Sequence, residues 1–284
     1  MEKPKIALML APALAVIGLL FLGGLIFGVL QSINVLSFTG NSGINLEAYK
    51  SIFSSRSFWV SLGFTLWIAC AATSISSILG LLCALVLRGS VRFKNWWMFV
   101  FQLSLPIPHA VGAIMVLLLF SQSGWFSRLA VTLSLTNSPS DFPILVQDPL
   151  ALGVILEYVW KETPFIGVNI LAALAGLDSG FEQVAASLGA GRWQRLRHVI
   201  LPAVMPSLLR SSLIVFAFSF STFEVPYLLA PTTPSTLSVL AYHTYTDSDL
   251  NSRPRAIALG LVMALLTGIL MLIYIRFSRR FIRS

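Results

Sequence analysis

The sequence predicts an all-α polytopic membrane protein with six transmembrane helices. Hydrophobic residues make up 56% of its 284 residues and charged residues only 11%, whereas soluble globular proteins carry about 25% charged residues. Six segments are apolar over the roughly 20 residues that a helix needs to cross a bilayer, and the sequence lacks the alternating pattern of a membrane β-barrel. This composition excludes a disordered chain, a disulfide scaffold and an ordinary soluble enzyme.

The first predicted span covers residues 6–31 and follows Lys3 and Lys5. Its apolar stretch continues to about Leu30, which makes it longer than the apolar core of a secretory signal peptide, about 7–15 residues. We therefore interpret this segment as an uncleaved membrane span.

The second predicted span, 58–87, contains no charged residue, and the third, 96–121, begins with a tryptophan pair beside Lys94. Tryptophan next to lysine is typical of an anchor at the membrane interface. Within the third span we expect His109 to be a hydrogen-bonded interior histidine, because an ionisable side chain inside a membrane needs a partner.

Both cysteines, Cys70 and Cys83, lie in the second span. A helix would separate them by about 20 Å, whereas a disulfide needs Cα atoms within about 7 Å. No histidine or further cysteine stands at metal-ligand spacing from either one. We therefore expect two small apolar residues, with no disulfide and no metal site.

The fourth predicted span, 150–177, carries three charged residues, Glu157, Lys161 and Glu162. Ionisable groups inside a membrane are costly and often functional. Glu157 and Lys161 are four residues apart on a helix and are expected to neutralise each other, which leaves Glu162 unpaired. The other interpretation is that these charges line a polar pathway or its outer mouth. Pro164 weakens the helix nearby and favours a bend there.

The fifth predicted span, 203–230, contains Glu224 about two-thirds along its length. Ser221 adds polarity before it, and Pro226 frees a backbone carbonyl one turn earlier. One interpretation is a carboxylate paired with a neighbouring helix or reaching the interface. The other is an acidic lining of a translocation path, with Tyr227 beside it, which would favour a cationic passenger.

The sixth predicted span, 256–275, completes a chain whose connecting segments alternate between the two sides of the membrane. Twelve basic residues then fall on one side and five on the other, and the positive-inside rule places both termini in the cytoplasm. The segments 32–57, 122–149 and 231–255 then face outward. We expect the chain, 1–284, to form a single transmembrane domain with no soluble domain.

The segment between the fourth and fifth spans has the pattern of two short helices joined by a turn. Asp178 or Ser179 could cap the first helix, and Glu182 would lie in its first turn, where an acidic residue is favoured. Gly189 and Gly191 suit the positive φ that commonly ends a helix.

The second helix of this segment, residues 178–202, is predicted from Arg192 to about Ile200. Trp193 and Ile200 lie on one face of it, with basic residues between them, and Pro202 is expected to end it and start the next span. Such a helix at the membrane surface has two interpretations. It could hold anionic lipid through its arginines, or it could be a docking surface for a cytoplasmic partner.

The same segment resembles the signature loop of permease subunits of binding-protein-dependent ABC importers. The pattern of that family is Glu-Ala-Ala, three residues, Gly, nine residues, Ile, one residue, Leu-Pro. The matching residues are Ala185, Gly189, Leu201 and Pro202, with Val199 in the place of Ile. The family's Glu place is occupied by Gln183, and Glu182 stands one residue before it.

In that family the loop is the coupling helix, which seats in a groove on a separate ATPase subunit and transmits its closure to the membrane helices. The resemblance therefore implies the type I ABC importer permease fold and alternating access driven by that ATPase. Small alanines would permit close approach, and Glu182 and Arg192 would be charged anchors at the rim. The ATPase-coupling residues implied are Glu182, Gln183, Ala185, Ala186, Gly189, Arg192, Leu201 and Pro202.

The resemblance also implies partners: a dimer of ABC ATPase subunits, a second permease subunit that is identical or homologous, and an extracytoplasmic solute-binding protein. The location implied is the bacterial inner membrane. No Gly-x-x-x-x-Gly-Lys-Ser/Thr loop occurs in the sequence, so ATP and Mg²⁺ are expected on the ATPase. We expect no catalysis, no cofactor and no metal in this chain, and no nucleic-acid partner. The outer segment 242–249 could dock the binding protein or remain solvated.

Residues 160–165 and 223–229 are most similar to the spermidine/putrescine-type branch of these permeases, which implies a small solute with a polyamine-like cation among the candidates. That branch also includes subunits for ferric iron, thiamine and aminophosphonates, so the substrate stays open. The expected pathway residues are Glu157, Glu162, Ser221, Glu224 and Tyr227.

The alternative function is an ion-coupled secondary carrier or channel that uses the intramembrane carboxylates Glu157, Glu162 and Glu224 as a proton relay. An intramembrane enzyme has little support. The chain has three histidines, His109, His198 and His243, and none of them clusters in the sequence with a cysteine, serine or aspartate as a catalytic set.

Overall fold

The computed structural model describes residues 3–36, 43–89, 92–177 and 179–282. Within these ranges the chain is helical and contains no β-strand. The α-helices are α1 (Lys3–Ser32), α2 (Glu47–Ser54), α3 (Arg56–Arg88), α4 (Lys94–Gln102), α5 (His109–Phe120), α6 (Trp125–Thr132), α7 (Leu152–Ala175), α8 (Ser179–Ser187), α9 (Arg192–Arg195), α10 (Leu201–Ser221), α11 (Glu224–Leu229), α12 (Leu237–Tyr245) and α13 (Arg253–Ile282). Short 3₁₀ turns span Pro139–Asp141 and Leu250–Ser252, and a π turn spans Leu196–Ile200.

Five helical stretches of the described chain are long and apolar enough to cross a membrane. They are Met9–Ser32, Arg56–Arg88, His109–Thr132, Arg192–Ser221 and Leu250–Ser278. The predicted fourth span, α7, lacks this hydropathy because of its three charged residues. It is nevertheless 24 residues long, about 36 Å of helix, which exceeds the roughly 30 Å hydrocarbon core. The all-α polytopic fold predicted from composition is confirmed.

The third span differs from the prediction of one helix over 96–121. The chain forms α4, then a turn, and then α5 from His109. Pro106 and Pro108 lie at this break, and Pro108 is extended, with φ −60° and ψ 145°. Proline lacks the N–H that a continuing helix needs and disfavours helical geometry in the residue before it. The positions of the two prolines therefore encode the helix break. Hydropathy alone does not reveal it, because the segment is apolar on both sides of the break.

The fifth span also differs from the prediction of one helix over 203–230. Helix α10 ends at Ser221, Thr222 is extended with φ −65° and ψ 141°, and α11 begins at Glu224. Pro226 explains the break, because it cannot donate to the carbonyl four residues earlier and its ring crowds that residue, Thr222.

Pro202 does not end the helix that precedes it, which corrects the prediction. The chain stays helical from α9 through the π turn into α10, and the N–H of Leu201 bonds to the carbonyl of Leu196. The wider π turn accommodates a proline whose missing N–H would otherwise leave a gap in the regular ladder. The surface helix and the membrane helix are therefore continuous.

The chain divides into two compact units, residues 1–60 with 237–265 and residues 61–236 with 266–284. In the first unit, Ser32 and Tyr49 share a hydrogen bond of 2.8 Å between their hydroxyls, and the Arg253 guanidinium lies 5.5 Å above the Tyr245 ring.

The second unit holds two hydrophobic clusters. One joins α3, α5, α7 and α11 around the fully buried Tyr158. The other joins the end of α3 to α7 and α10 around Ile166 and Val215. Helices α3 and α7 each contribute to both clusters and therefore join them.

Candidate functional site

The α8–α9 hairpin, residues 179–195, has the predicted form of two short helices around a glycine turn. Gly189 has φ +83°, and the N–H of Ala190 bonds to the carbonyl of Ala185 at 3.0 Å. Positive φ at the residue after a helix is the geometry that glycine permits at little cost. The predicted stop at Gly189 is confirmed.

Gly191 has a different role from the predicted one. Its φ is −65°, so it does not need left-handed geometry. Its N–H donates instead to the side-chain oxygen of Gln194 at 2.9 Å, which caps the start of α9. Of the two cap candidates for α8, Asp178 and the side chain of Ser179 lie outside the described residues.

The α8–α9 hairpin exposes large apolar side chains. The exposed fractions are 64% for Phe181, 60% for Val184, 83% for Leu188 and 69% for Trp193. Phe181, Val184 and Leu188 lie outside the five stretches that are apolar enough to cross a membrane, whereas Trp193 lies at the start of one of them, next to the exposed charge of Arg192. A cluster of exposed large apolar residues on a polar segment is typical of an interaction surface.

A groove of about 370 Å³ lies between the two arms of this hairpin. It is lined by Ala185, Leu188, Gly189, Ala190, Gln194, Arg195, His198 and Val199. The structure therefore brings together three of the matched signature positions, Ala185, Gly189 and Val199. The small side chain of Ala185 leaves the groove open at its base.

The other predicted coupling residues lie around this groove. Gln183, Ala186 and Arg192 are exposed, whereas Leu201 is half-buried at the start of α10 and Pro202 is exposed beside it. The predicted set is therefore one surface around α8 and α9 together with the first residues of the membrane helix that follows.

Glu182 is engaged within the chain. Its Oε1 accepts a hydrogen bond from Nη2 of Arg88, the last residue of α3. The sequence analysis counted Arg88 only as one of the cytoplasmic basic residues. Its separation of 94 positions from Glu182 gave no local signal for the pair.

A second group of functional candidates is the charge cluster, formed by His109 of α5 with Glu157, Lys161 and Glu162 of α7. The Glu157 side chain is fully buried, and its two oxygens lie 3.2 and 3.4 Å from Nδ1 of His109. The other ring nitrogen, Nε2, lies 3.6 Å from Oε1 of Glu162. The imidazole therefore bridges two carboxylates, and the prediction of a hydrogen-bonded interior histidine is confirmed.

Lys161 makes no direct ion pair with Glu157 among the described residues, which corrects the prediction of an i, i+4 pair. Its ammonium donates to the carbonyl oxygens of Ser104, at 2.8 Å, and Ile107, and no ion pair joins it to Glu157 in the described chain. The break between α4 and α5 explains the change, because a turn leaves carbonyls free that a continuous helix would have bonded. Glu162, predicted to be unpaired, has His109 as its neighbour.

Gly112 makes room for this arrangement. A Cβ atom at Gly112 would lie 2.6 Å from Oε1 of Glu157, closer than real Cβ contacts allow. A larger residue at this position would force the buried Glu157 carboxylate to shift from its place beside His109. The sequence analysis missed Gly112, because glycine inside a membrane helix is common and gives no signal by itself.

A cavity of about 240 Å³ adjoins the charge cluster. It is lined by Leu105, His109, Lys161, Glu162, Phe165, Ile214, Val215 and Phe218. Of the predicted pathway residues, Glu162 lines this cavity and Glu157 does not. The cavity combines two aromatic rings with three ionisable side chains, which gives it both apolar and polar walls.

The remaining pathway candidates lie at the break between α10 and α11. Ser221 is exposed, and its hydroxyl donates to the carbonyl of Ala217 at 2.8 Å. Glu224 is exposed at the first position of α11, and the ring of Tyr227 lies 4.9 Å from that of Phe223. The structure therefore separates the predicted pathway residues into a buried pair on α7 and an exposed group at this break.

Comparison with known proteins gives a consistent result. A family model described as the binding-protein-dependent transport system inner membrane component matches residues 76–283. The trehalose transport system permease protein SugA of Mycobacterium tuberculosis is 30% identical over 217 residues, which is 75% of this chain and 68% of that protein. The inner membrane ABC transporter permease protein YcjO of Escherichia coli is 27% identical over 92% of this chain and 90% of that protein.

Two further similarities extend this picture. The trehalose/maltose transport system permease protein MalF of Thermococcus litoralis is 24% identical over 83% of this chain and 80% of that protein. A solved bacterial ABC transporter involved in the import of the acidic polysaccharide alginate has a chain with TM-score 0.80 and 20% identity, covering 97% of this chain and 95% of that one. That structural similarity shows a shared fold.

Proposed function

This chain belongs to the family of inner membrane components of binding-protein-dependent transport systems, and we propose that its α8–α9 hairpin is the surface on which a separate ABC ATPase acts. The chain is a permease subunit of a binding-protein-dependent ABC importer. In the proposed mechanism, closure of the ATPase dimer displaces α8 and α9, and the displacement reaches the membrane helices and alternates the access of the solute.

The exposed apolar surface of the hairpin carries this proposal. Phe181, Val184, Leu188 and Trp193 remain exposed in the folded chain, and burying such side chains against a partner is favourable by roughly 25 cal/mol per Å² of apolar area. The π turn and α10 continue directly from α9, so a force on the hairpin acts on a membrane helix without an intervening flexible loop.

A charge placed on this surface tests the proposal. Leu188→Glu should abolish co-purification of the ATPase subunit with a tagged chain and remove its ATP hydrolysis. Leu135→Glu is the matched control, because Leu135 is 74% exposed but lies far along the chain, in the segment after α6. Co-purification at the unsubstituted level with Leu188→Glu would contradict the proposal.

The same complex separates this function from the ion-coupled carrier. An importer needs its ATPase subunit, so uptake into vesicles should require ATP on the ATPase side and should stop when that subunit is removed. Uptake driven by an ion gradient without the ATPase would instead support a proton relay through Glu157, Glu162 and Glu224.

For the solute we propose an uncharged sugar as the first candidate. SugA and MalF are named for trehalose and for trehalose and maltose transport, and Lys161 shares the lining of the cavity with Glu162, so a cationic solute there would meet a lysine as well as a carboxylate. The second candidate is a polyamine-like cation, and the exposed carboxylate of Glu224 favours it. The solute path is proposed to pass the residues Glu157, Glu162, Ser221, Glu224 and Tyr227.

The extracytoplasmic binding protein proposed as a partner of this chain can decide between the two solutes. Its thermal unfolding midpoint should rise with trehalose or maltose, since a ligand stabilises only the state that binds it. A rise with spermidine or putrescine and none with sugars would establish the cation instead. Substitution of Glu224 by Gln should impair uptake if the solute is the cation and should leave uptake unaffected if the solute is the sugar.

We further propose an inner-membrane location with both termini in the cytoplasm and with an identical or homologous second permease beside the chain. The twelve-to-five distribution of basic residues supports this orientation. A cytoplasm-active reporter fused to either terminus should be active, and activity of a periplasmic reporter at those positions would contradict the orientation.

A further inference from the structure

The pair formed by Arg88 and Glu182 connects two elements that the peptide chain keeps far apart. Arg88 is the last residue of α3, and Glu182 lies in the first turn of α8. Both side chains are largely withdrawn from solvent, with exposed fractions of 29% and 20%. A charge-assisted hydrogen bond of this kind is stronger than a neutral one and fixes geometry as well as distance.

The position of Glu182 on α8 explains why it reaches α3. Successive residues of an α-helix differ by about 100° around its axis, so Glu182 and Gln183 point in different directions. Gln183, which stands in the Glu place of the signature, is exposed, whereas the carboxylate of Glu182 is bound by Arg88. The side chain of Glu182 is therefore directed towards the rest of the chain.

Helices α3 and α7 are already in close contact farther inside the second unit. A Cβ atom at Gly80 would lie 3.0 Å from both the carbonyl oxygen of Thr163 and a side-chain carbon of Ile166. From this crossing α3 continues for about 12 Å to Arg88 and α7 for about 14 Å to Ala175, at 1.5 Å per residue.

These contacts form a closed frame with three sides. Helix α3 meets α7 at Gly80, α7 leads along the chain into α8, and α8 returns to α3 through Glu182 and Arg88. Packing holds the corner at Gly80, and the peptide chain connects α7 to α8. The third corner depends on one ion pair.

We infer that Arg88 and Glu182 form a strut that makes the carboxyl end of α3 move together with α8. A displacement of α8 then reaches the membrane helices by two routes, along the chain into α10 and through Arg88 into α3. Both are positioning residues: they bind neither nucleotide nor solute. This inference rests on the proposed function, because it requires an ATPase that displaces α8.

Distance measurements in the assembled complex test the strut directly. The complex is isolated from its host membrane through a tag on this chain and placed in nanodiscs. Spin labels are attached at Val86→Cys on α3 and Ser187→Cys on α8, with Cys70 and Cys83 replaced by serine. The label distance should be the same without nucleotide and after trapping with Mg-ATP and vanadate. With Arg88→Gln it should change on trapping.

Arg92→Gln is the matched control, because Arg92 is exposed, lies four residues after Arg88 and stacks on Phe93 at 5.1 Å. It should leave the label distance as constant as in the unsubstituted chain. A distance that changes on trapping in the unsubstituted chain as much as it does with Arg88→Gln would overturn the strut.

Charge reversal gives a second readout that a merely structural role would not produce. Stimulation of ATP hydrolysis by the extracytoplasmic binding protein, added as isolated, should fall about tenfold with Arg88→Glu or Glu182→Arg, within the range usual for coupling between sites. The double variant Arg88→Glu/Glu182→Arg should recover it. A double variant as impaired as the single ones would overturn the inference.

The two proposals fail in distinguishable ways. If the unsubstituted chain co-purifies no ATPase, the proposed function is wrong. If it co-purifies an ATPase that hydrolyses ATP, and Arg88→Gln behaves like Arg92→Gln in both assays, the strut alone is wrong.

Discussion

The α8–α9 hairpin and the charge cluster depart from ordinary burial in opposite directions. The hairpin exposes large apolar side chains such as Leu188 and Trp193, whereas the cluster buries charged groups such as Glu157 and Lys161. Apolar side chains exposed on a segment predicted to lie on the cytoplasmic side, and buried charges, are the informative exceptions in such a chain. The cluster finds its partners within the chain, in His109 and in backbone carbonyls, so it is complete as a single subunit. The hairpin is not.

The comparison predicts that changes in the cluster act on stability and that changes in the hairpin act on assembly. A buried charge that loses its partner keeps its full desolvation cost. An exposed apolar side chain costs the isolated subunit little when it is removed, because it makes few contacts there.

The largest expected effect is that of His109→Leu. It removes the hydrogen bonds that Glu157 receives from the imidazole and leaves a fully buried carboxylate, so the subunit should lose about 3–5 kcal/mol of stability. The measurement is the unfolding midpoint of the purified chain in detergent. His198→Leu is the control, because His198 is exposed. Equal midpoints for the two variants would mean that the cluster does not support the fold.

Gly112→Ala should have the next largest effect, a loss of about 1–3 kcal/mol typical of overpacking. The added methyl group meets the Glu157 carboxylate at 2.6 Å. Gly63→Ala, on α3, is the matched control, since nothing lies within 4 Å of its added Cβ and alanine is the better helix former. The prediction is wrong if unfolding midpoints show Gly112→Ala to be as stable as Gly63→Ala.

A smaller effect is expected for Gly189→Ala, about 1–2 kcal/mol for an alanine forced into left-handed geometry. Its φ of +83° demands that geometry, whereas Gly191, with φ −65°, does not. Gly191→Ala should therefore be nearly neutral. Hydrogen exchange of the α8 amides in the two variants is the measurement, and faster exchange in both or in neither would contradict the assignment of the turn to Gly189.

The smallest effect on stability is expected for Trp193→Ala, within about 0.5 kcal/mol as for an exposed position. Its effect on assembly should be large, because aromatic side chains are frequent hot spots of interfaces. Unfolding midpoint and ATPase co-purification measured on the same preparation separate the two. If Trp193→Ala loses stability and still binds the ATPase, the prediction that changes in the hairpin act on assembly rather than on stability is wrong.

The sequence predicted features that depend on neighbouring residues and did not predict contacts between residues far apart in the chain. The two short helices and the turn at Gly189 depend on residues close together in the chain, and both were predicted. The partners of Glu157 and Glu182 depend on residues 48 and 94 positions away, and neither partner was predicted. The i, i+4 spacing predicted a pair between Lys161 and Glu157, because the two share a helix face. In the structure the Lys161 ammonium instead donates to backbone carbonyls in the break between α4 and α5.

The sequence by itself determined the membrane class, the order of the spans and the form of the α8–α9 hairpin, because hydropathy, helical periodicity and glycine conformation act over a few residues. Only the tertiary structure decided which nitrogen atoms lie beside each buried carboxylate of α7, and that Arg88 binds Glu182. These outcomes depend on how separate helices pack. Packing brings together residues that are far apart in the chain, and their positions in the sequence do not reveal that proximity.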